Sequence, residues 1–416
     1  MDVRSEQSIN VSVSAGRLHK RRQRARTRER KQMLLDELIE RIPKSNCDND
    51  NDDYYSQLFK PIPSLHYKMI TDDHNLDSSK EFWKQVPNSC NPNQAIYNAD
   101  LAPDAAKLSR DKKYQARYQR KLNHQVKQGD ITQEQKQALW ESRGRASTSV
   151  SASSSPNEDP FGTPSNNESS NNLDADGVTL LSAQRGQRKA WQVENLATLL
   201  AEPLLSMAEK RNQIQRPVTV VDFGCGSGNL CLALAAYFRH VRFVLVDKKS
   251  YPLQLVQRRA QQAGLTNVKV LQYTFAPDNL QDFFKANDDE EDAQGLFDIG
   301  IGLHCCGSFT DMVMELCLHR GADCIVCPCC NGGMTANATC GYAYPRSNFL
   351  KEYLTQDEYL GQLSKGADDL SNYAAKCLIE YDRAMWAKEH GFREVELWKM
   401  TPLECTPKHH VLYLKQ

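Results

Sequence analysis

Residues 220–229, "VVDFGCGSGN", decide how the rest of the chain is interpreted. An apolar run ends in an acid, Asp222, and glycines follow at positions 224, 226 and 228. A strand that leads through a glycine turn into a helix directs backbone N–H groups and the positive end of the helix at one point. Glycines let a ligand come closer there than a Cβ atom would permit. The stretch therefore predicts a ligand site at the end of a buried strand.

The glycine spacing and the acid indicate what kind of ligand this is. A dinucleotide site has the spacing Gly-x-Gly-x-x-Gly and holds a pyrophosphate. Here the spacing is Gly-x-Gly-x-Gly, and Asp222 would repel a pyrophosphate but attract an ammonium or sulfonium group. A second acid, Asp247, ends the next apolar run nineteen residues after Gly228, where a carboxylate can accept both ribose hydroxyls. The pattern favours a nucleoside that carries a cationic amino-acid arm.

Apolar runs and helical patterns alternate through the last 240 or so residues, which is typical of a parallel sheet covered by helices on both faces. The predicted parallel strands are residues 217–223, 242–247, 268–273, 297–304 and 324–328. Two further strands, residues 394–400 and 410–415, have no helix between them and should form an antiparallel hairpin. We predict an α/β fold with a Rossmann-like, seven-stranded sheet and an antiparallel C-terminal pair.

The first part of the chain has a different character. Residues 1–145 are polar and offer few apolar side chains for a core. Residues 146–172 contain no Lys or Arg and are dominated by Ser, Asn and Pro, which is typical of a disordered linker. We therefore divide the chain into residues 1–174, a largely disordered region with short helices, and residues 175–416, a folded domain.

Charge and cysteine usage limit the partners and the compartment. The 52 basic and 52 acidic residues balance, so the whole chain has no bias towards nucleic acid. Locally, residues 17–31 hold nine Lys or Arg and one Glu. This segment could bind RNA phosphates, act as a nuclear address or be a solvated tail. The clustered cysteines favour reduced thiols inside a cell. Without an apolar run of about 18 residues or a visible secretory leader, we expect no membrane span and a cytoplasmic, or nuclear, location.

The acid and the alternating glycines, together with Asp247 and the terminal antiparallel pair, resemble the class I S-adenosylmethionine-dependent methyltransferases. The resemblance implies that Asp222 and Gly224 bind the methionine part of S-adenosyl-L-methionine. It implies that Gly226 and Gly228 complete the loop and that Asp247 binds the ribose. The fold implied is a methyltransferase sheet, and the implied cofactor is S-adenosyl-L-methionine.

More specific motifs resemble the methyltransferase domain of the glutathione S-transferase C-terminal domain-containing proteins. They are "RKAWQVENLATLL" (188–200), "LHCCGSFTDMV" (303–313), "CPCCNG" (327–332), "YPRS" (344–347) and "CTPKHH" (405–410). A family of tRNA ribose methyltransferases carries a similar His-x-Cys-Gly pattern and Cys-Cys pair. The resemblance implies RNA, with tRNA favoured, as the substrate of an S-adenosylmethionine-dependent methyltransferase. The alternative is a non-catalytic module of the same fold that binds RNA or protein. No glutathione transferase-like domain is visible in residues 1–174, so nothing of that domain carries over.

Histidine and cysteine residues follow the fourth and fifth predicted strands. Because parallel strands end at one edge of a sheet, we expect His304 and Cys306 to face Cys329 and Cys330 over the methyl donor. Four interpretations are open: packing and pocket lining, a zinc site of these four residues, a thiolate nucleophile at Cys329, and His304 as general base. We take the four as candidate catalytic residues and assign no metal ligand.

Loops on the same side of the predicted sheet hold further candidates. Arg346 and Lys408 could meet RNA phosphates there. Thr310 and Asp311 begin the helix after the fourth strand, where either could cap the helix or take part in catalysis.

Overall fold

The structure, a computed structural model, describes residues 25–43, 58–63, 78–92, 183–211, 216–285, 297–331, 342–369 and 372–416, with a few single positions between them. Within these residues eight strands form one sheet in the order β1-β7-β8-β6-β5-β2-β3-β4. The strands are β1 (Lys60–Pro61), β2 (Thr219–Phe223), β3 (Arg242–Asp247), β4 (Val268–Gln272), β5 (Ile299–Cys306), β6 (Asp323–Cys330), β7 (Glu394–Lys399) and β8 (His410–Lys415).

The helices follow the alternating pattern of the sequence. They are α1 (residues 25–40), α2 (Ser78–Gln85), α3 (Ala183–Arg211), α4 (Cys231–Tyr237), α5 (Ser250–Gln262), α6 (Asp282–Lys285), α7 (Phe309–Arg320), α8 (Asn348–Lys351), α9 (Gln356–Glu358), a π-helix (Tyr359–Leu363), α10 (Ser364–Ala367), α11 (Tyr373–His390) and a 3₁₀ turn (Leu403–Cys405). No helix in the described part of the chain is long and apolar enough to cross a membrane.

The sheet confirms the predicted α/β fold. Strands β2 to β6 pair in parallel, and β8 runs antiparallel to both β6 and β7. All five residues of β2 are buried. Alternate residues of a strand face opposite sides of a sheet, so Val220 packs among the residues of α3, α4 and α5 while Val221 packs towards α7 and α11. The parallel strands all end at one edge, which we call the carboxyl edge.

One strand was not predicted. Residues Lys60–Pro61 pair in parallel with Trp398 and Lys399 of β7, so the sheet has eight strands rather than seven. The segment is two residues long and lies in a polar region, so its sequence carries no alternating pattern. Its neighbours Phe59 and Ile62 are buried, and the ring of Phe59 stacks on His410 with centroids 3.9 Å apart.

Besides Phe59 and Ile62, two further described segments upstream of residue 174 contribute to the core. On α1, Leu35 and Leu38 pack with Ile42 against the π-helix and α11. Phe82 and Val86, on and just after α2, join the cluster formed by α3, α4 and α5. The expectation that this region offers few side chains to the core is wrong for these segments. The sequence did not reveal their contribution, because long polar stretches separate their few apolar residues. The boundary at residue 174 stays a prediction, and the linker, residues 146–172, lies outside the described residues.

We expect Leu38→Ala to destabilise the whole domain. Leu38 is 2% exposed, and removing a buried leucine side chain typically costs about 2–5 kcal/mol of unfolding free energy. Leu34 lies on the same helix but is 42% exposed, so Leu34→Ala should change stability by about 0.5 kcal/mol or less. Urea unfolding of the full chain measures both values. Equal, small effects would show that α1 is not part of the cooperative unit.

Candidate functional site

A bulge at the end of β5 shapes the carboxyl edge. Leu303 pairs with Cys327 and Cys305 with Pro328, so His304 is the extra residue between them. Its φ is +66°, a left-handed conformation that costs a residue with a Cβ atom on the order of 1–3 kcal/mol and occurs mostly at functional sites. Bulges redirect side chains next to such sites. The bulge turns His304 and Cys306 towards the end of β6.

Three thiols meet across this edge, as the sequence predicts. The Sγ atoms of Cys306 and Cys329 are 2.8 Å apart, and those of Cys329 and Cys330 are 3.9 Å apart. All three sulfur atoms lie within 4.8 Å of one another. The thiols of Cys306 and Cys329 also contact the carbonyl oxygen of His304, at 3.4 and 3.6 Å. We call Cys306, Cys329 and Cys330 the thiol cluster.

The imidazole of His304 has a partner that sequence analysis missed. The Nζ atom of Lys189 lies 2.8 Å from His304 Nε2 and also donates to Gln192 Oε1 at 2.9 Å. An ammonium group has no lone pair, so Nε2 accepts this hydrogen bond. A general-base role at Nε2 requires Lys189 to release it. Lys189 and Gln192 are three positions apart on α3 and therefore lie on the same face of the helix. This spacing was the sequence signal that could have pointed to the pair.

The thiols of the cluster differ in acidity. Hydrogen bonds from Cys306 and His304 lower the pKa of Cys329 to about 4, although burial opposes the shift. The same hydrogen bond, followed by burial, raises the pKa of Cys306. Cys329 is therefore the more acidic thiol of this pair. Cys305 and Cys327 are 1% exposed, and burial raises their pKa well above the usual value, so these two are packing thiols.

The glycine loop lies beside the cluster, at the end of the neighbouring strand β2. Gly224, Gly226 and Gly228 have φ values of +77°, +56° and +75°, which side chains with a Cβ atom rarely adopt. A Cβ atom on Gly228 would lie 3.0 Å from Leu232 and Val256, whereas one on Gly226 would meet nothing within 4 Å. Gly228 thus serves packing, and Gly226 faces open space where a ligand can approach.

The two acids are placed differently. Asp222 is 2% exposed, and its Oδ2 atom has no hydrogen-bond partner in the structure. Burial raises the pKa of Asp222 to about 7. Asp247 is half-buried and accepts hydrogen bonds from the backbone N–H groups of Gly226, at 3.0 Å, and Lys249, at 2.9 Å. A carboxylate oxygen can accept two hydrogen bonds, so both oxygens of Asp247 keep capacity for a ligand.

Of the two loop residues expected to meet phosphates, one is unavailable. Arg346 is 8% exposed, and its guanidinium pairs with Glu315 at 2.7 Å and with Asp311 at 3.8 Å. The prediction for Arg346 is wrong, because two acids of α7, distant in sequence, already neutralise it. Lys408 is half-buried in the loop between β7 and β8 and stays a candidate.

Comparison with known proteins agrees with this description. Residues 188–337 match a family model described as a methyltransferase domain. A glutathione S-transferase C-terminal domain-containing protein of Bos taurus is 30% identical over 242 residues, which are 56% of this chain and 34% of the relative. The homologue in Drosophila melanogaster is 29% identical over 246 residues, 56% of this chain and 37% of the relative. The chain thus spans about a third of the length of these relatives.

Solved structures of methyltransferases also match the chain, at low similarity. The METTL16 methyltransferase domain has a TM-score of 0.32 and 12% identity, covering 59% of this chain and 85% of that one. An S-adenosylmethionine-dependent methyltransferase from Aquifex aeolicus has a TM-score of 0.26 and 13% identity, covering 50% and 87%. Residues 188–337 thus match a methyltransferase domain, and the strand order and the glycine loop with its two acids agree with that match.

Proposed function

We propose that the chain is an active methyltransferase that uses S-adenosylmethionine to methylate RNA, with tRNA as the first class of RNA to test. The observation that carries the choice of RNA is a basic helix that is linked through Asp369 and Asp368 to the end of β6. The observation that supports activity is an intact cofactor pocket. The position of the methyl donor defines where the substrate must arrive.

The residues of the pocket fit the cofactor. S-adenosylmethionine supplies a methyl group activated by a sulfonium centre and carries a second positive charge on its amino group. The carboxylate of Asp222 is buried and has one oxygen without a partner, which is unfavourable unless a cation or donor completes it. Gly226 leaves room for close approach, and Asp247 has acceptor capacity for the two ribose hydroxyls.

The acceptor side of the pocket is the edge formed by β5 and β6. In open parallel sheets, ligands bind beyond the carboxyl ends of the strands. β2 and β5 are direct neighbours, so an acceptor that reaches the methyl donor over Asp222 passes His304 and the thiol cluster. We therefore keep His304, Cys306, Cys329 and Cys330 as the candidate catalytic residues.

The basic helix is the exposed, N-terminal part of α1, with Arg26, Arg28, Arg30 and Lys31 all exposed. Arg28 pairs with Asp369 at 3.4 Å. The preceding residue, Asp368, accepts a hydrogen bond from the backbone N–H of Asn331 at 2.7 Å, and Asn331 directly follows Cys330. Two short contacts thus connect the basic helix to the end of β6.

This position favours a polyanionic substrate. Lysine and arginine side chains that neutralise phosphates release counterions, and this term dominates nucleic-acid affinity. The chain as a whole has no net charge, so the attraction is local and directs the substrate to the carboxyl edge. Residues 17–22 and 24, the rest of the predicted basic segment, lie outside the described residues.

We expect cofactor affinity to depend on pH through Asp222. A cationic ligand binds the ionised carboxylate, and the pKa of about 7 in the free protein means that affinity should fall by about tenfold per pH unit below neutrality. Above about pH 8 the affinity should level off. Calorimetry with S-adenosylmethionine between pH 5.5 and about 8.5 measures this dependence.

Two variants control that measurement. Asp222→Asn keeps the shape but cannot ionise, so its affinity should be low and nearly independent of pH. Asp247→Asn should lower affinity to a similar extent at every pH, by about 1–3 kcal/mol for lost hydrogen bonds. In the ligand-free protein, folding stability changes with pH in the opposite direction to cofactor affinity. Asp222 ionises near pH 4 when unfolded and near pH 7 when folded, so its ionisation lowers folding stability as pH rises between these values. A flat affinity profile for the wild type would contradict the assignment.

The substrate class is tested by transfer of a labelled methyl group to total RNA, protein and small-molecule fractions. We expect label in RNA, and none with Asp222→Ala. Label in protein or small molecules alone would refute the choice of RNA. Absence of label from every fraction, with cofactor still bound, would support the alternative of a non-catalytic module.

A charge variant of the basic helix tests the route of the substrate. Replacing Arg26, Arg30 and Lys31 with Gln leaves the Arg28–Asp369 pair intact and removes three exposed charges. The slope of log affinity for single-stranded RNA against log salt concentration should become shallower by about 2, at about 0.7 per lost phosphate contact. Gln at the exposed residues Arg258, Lys388 and Arg393 is the matched control. Equal slopes for both variants would contradict binding at α1.

A further inference from the structure

We propose that Cys306, Cys329 and Cys330 bind a thiophilic divalent metal ion, with Zn²⁺ as the ion to test. The three sulfur atoms lie within 4.8 Å of one another at the end of the β5–β6 pair. The site goes beyond methyl transfer to RNA and does not depend on the identity of the methyl acceptor.

The spacing of the sulfur atoms fits one ion. Zinc binds thiolate sulfur at about 2.3 Å in a tetrahedral arrangement, which places two ligand sulfurs about 3.8 Å apart. The sulfurs of Cys329 and Cys330 already stand 3.9 Å apart. Those of Cys306 and Cys329, at 2.8 Å, need to separate by about 1 Å to meet that geometry. Cys306 is exposed and is the last residue of β5, so its side chain has room to move outwards.

The backbone departs from regular strand geometry to gather these thiols. Consecutive residues of a strand point to opposite faces, yet Cys329 and Cys330 bring their sulfurs together. On β5 the bulge at His304 shifts the register, so that Cys306 pairs with Cys330. Two distortions that converge on one point are the pattern expected of a ligand set.

Packing explains the buried thiols of β5, β6 and α7 but not these three. Cys305, Cys317, Cys324 and Cys327 are at most 1% exposed and belong to the apolar clusters. Cys306 is exposed, and Cys329 and Cys330 are half-buried. A bound metal ion would account for three partly solvated thiols gathered at one point.

Among the described residues, no fourth ligand atom joins the three thiols, and the Nε2 atom of His304 is engaged by Lys189. Three protein ligands with one open position are typical of catalytic rather than structural zinc. We assign the fourth position to water or to an incoming donor atom. On binding, each protonated thiol loses its proton to the buffer and the resulting thiolate sulfur coordinates the ion, so that charge and atoms balance.

The test uses the full chain, reduced and stripped of metal by a chelator, with no cofactor and no RNA present. One equivalent of Zn²⁺ should bind, with release of protons that a weakly buffered solution reports. Co²⁺ in its place should produce the intense sulfur-to-cobalt charge-transfer absorption of thiolate coordination. Uptake well below one equivalent by the folded wild type, or a cobalt spectrum without that absorption, would overturn the proposal.

Variants separate this site from other thiols. Cys306→Ser, Cys329→Ser and Cys330→Ser should each lower zinc affinity by more than the roughly 10–100-fold that loss of an outer-shell group costs. Cys90→Ser removes a buried thiol near α5 and should leave zinc uptake unchanged. Wild-type uptake by the folded triple variant would refute the site. Because binding is measured without methyl transfer, its failure leaves the proposed function standing, and failure of methyl transfer leaves the metal site standing.

Discussion

The buried ion pair between Asp311 and Arg383 is the interaction on which the carboxyl edge depends. Both side chains are 1% exposed, and Arg383 donates from Nε and Nη2 to the two carboxylate oxygens, each at 3.1 Å. Arg383 also donates to the carbonyl oxygen of Gly307 at 2.9 Å, and the N–H of Gly307 donates to the carbonyl of Cys330 at 2.7 Å. One guanidinium thus connects α11, α7 and the ends of β5 and β6. Loss of one partner of such a pair leaves an uncompensated charge and typically costs about 3–5 kcal/mol.

A second buried network holds the same edge from α11. Lys376 donates to the carbonyl of Pro328 at 3.2 Å and pairs with Glu380, which also pairs with His410. Burial alone would raise the pKa of Glu380, but its close partners His410 and Lys376 hold it at about 2. Charged groups, rather than apolar packing alone, therefore fix the segment between Cys327 and Cys329. Such networks have directional hydrogen bonds, so they position the backbone of a site more narrowly than side-chain packing does.

The sequence predicted what depends on local pattern. Strand-length apolar runs, the glycine spacing and the two acids are readable over a few residues. They were enough for the fold, while the assignment of cofactor-binding residues stays a prediction. The meeting of Cys306 with Cys329 followed from the rule that parallel strands end at one edge.

Most of the residues that sequence analysis missed or assigned wrongly have partners distant in the sequence. Lys189 lies more than a hundred positions before its partner His304 in the sequence. Arg346 was expected to be available for phosphates, but the fold pairs it with Glu315 and Asp311. Thr310 was a candidate cap or catalyst, but its hydroxyl donates to the carbonyl of Cys305. The bulge at His304 and the strand β1 depend on pairing across the sheet, which no local pattern reports. Buried charges take their roles from partners that only the folded chain supplies.

The charged groups of the carboxyl edge lie in a spatial order that fits the proposed reaction. Asp222 is buried and Asp247 half-buried at the ends of β2 and β3, the thiol cluster lies at the ends of β5 and β6, and the basic helix is linked through Asp369 and Asp368 to the end of β6. Under the proposed function, the cationic cofactor and the polyanionic substrate would be attracted to different parts of this edge. Screening in physiological salt limits the reach of exposed charges to about 8 Å, while Asp222 is buried and is screened far less. The electrostatic fields of the two acids and of the basic helix therefore overlap little, although the chain has no net charge.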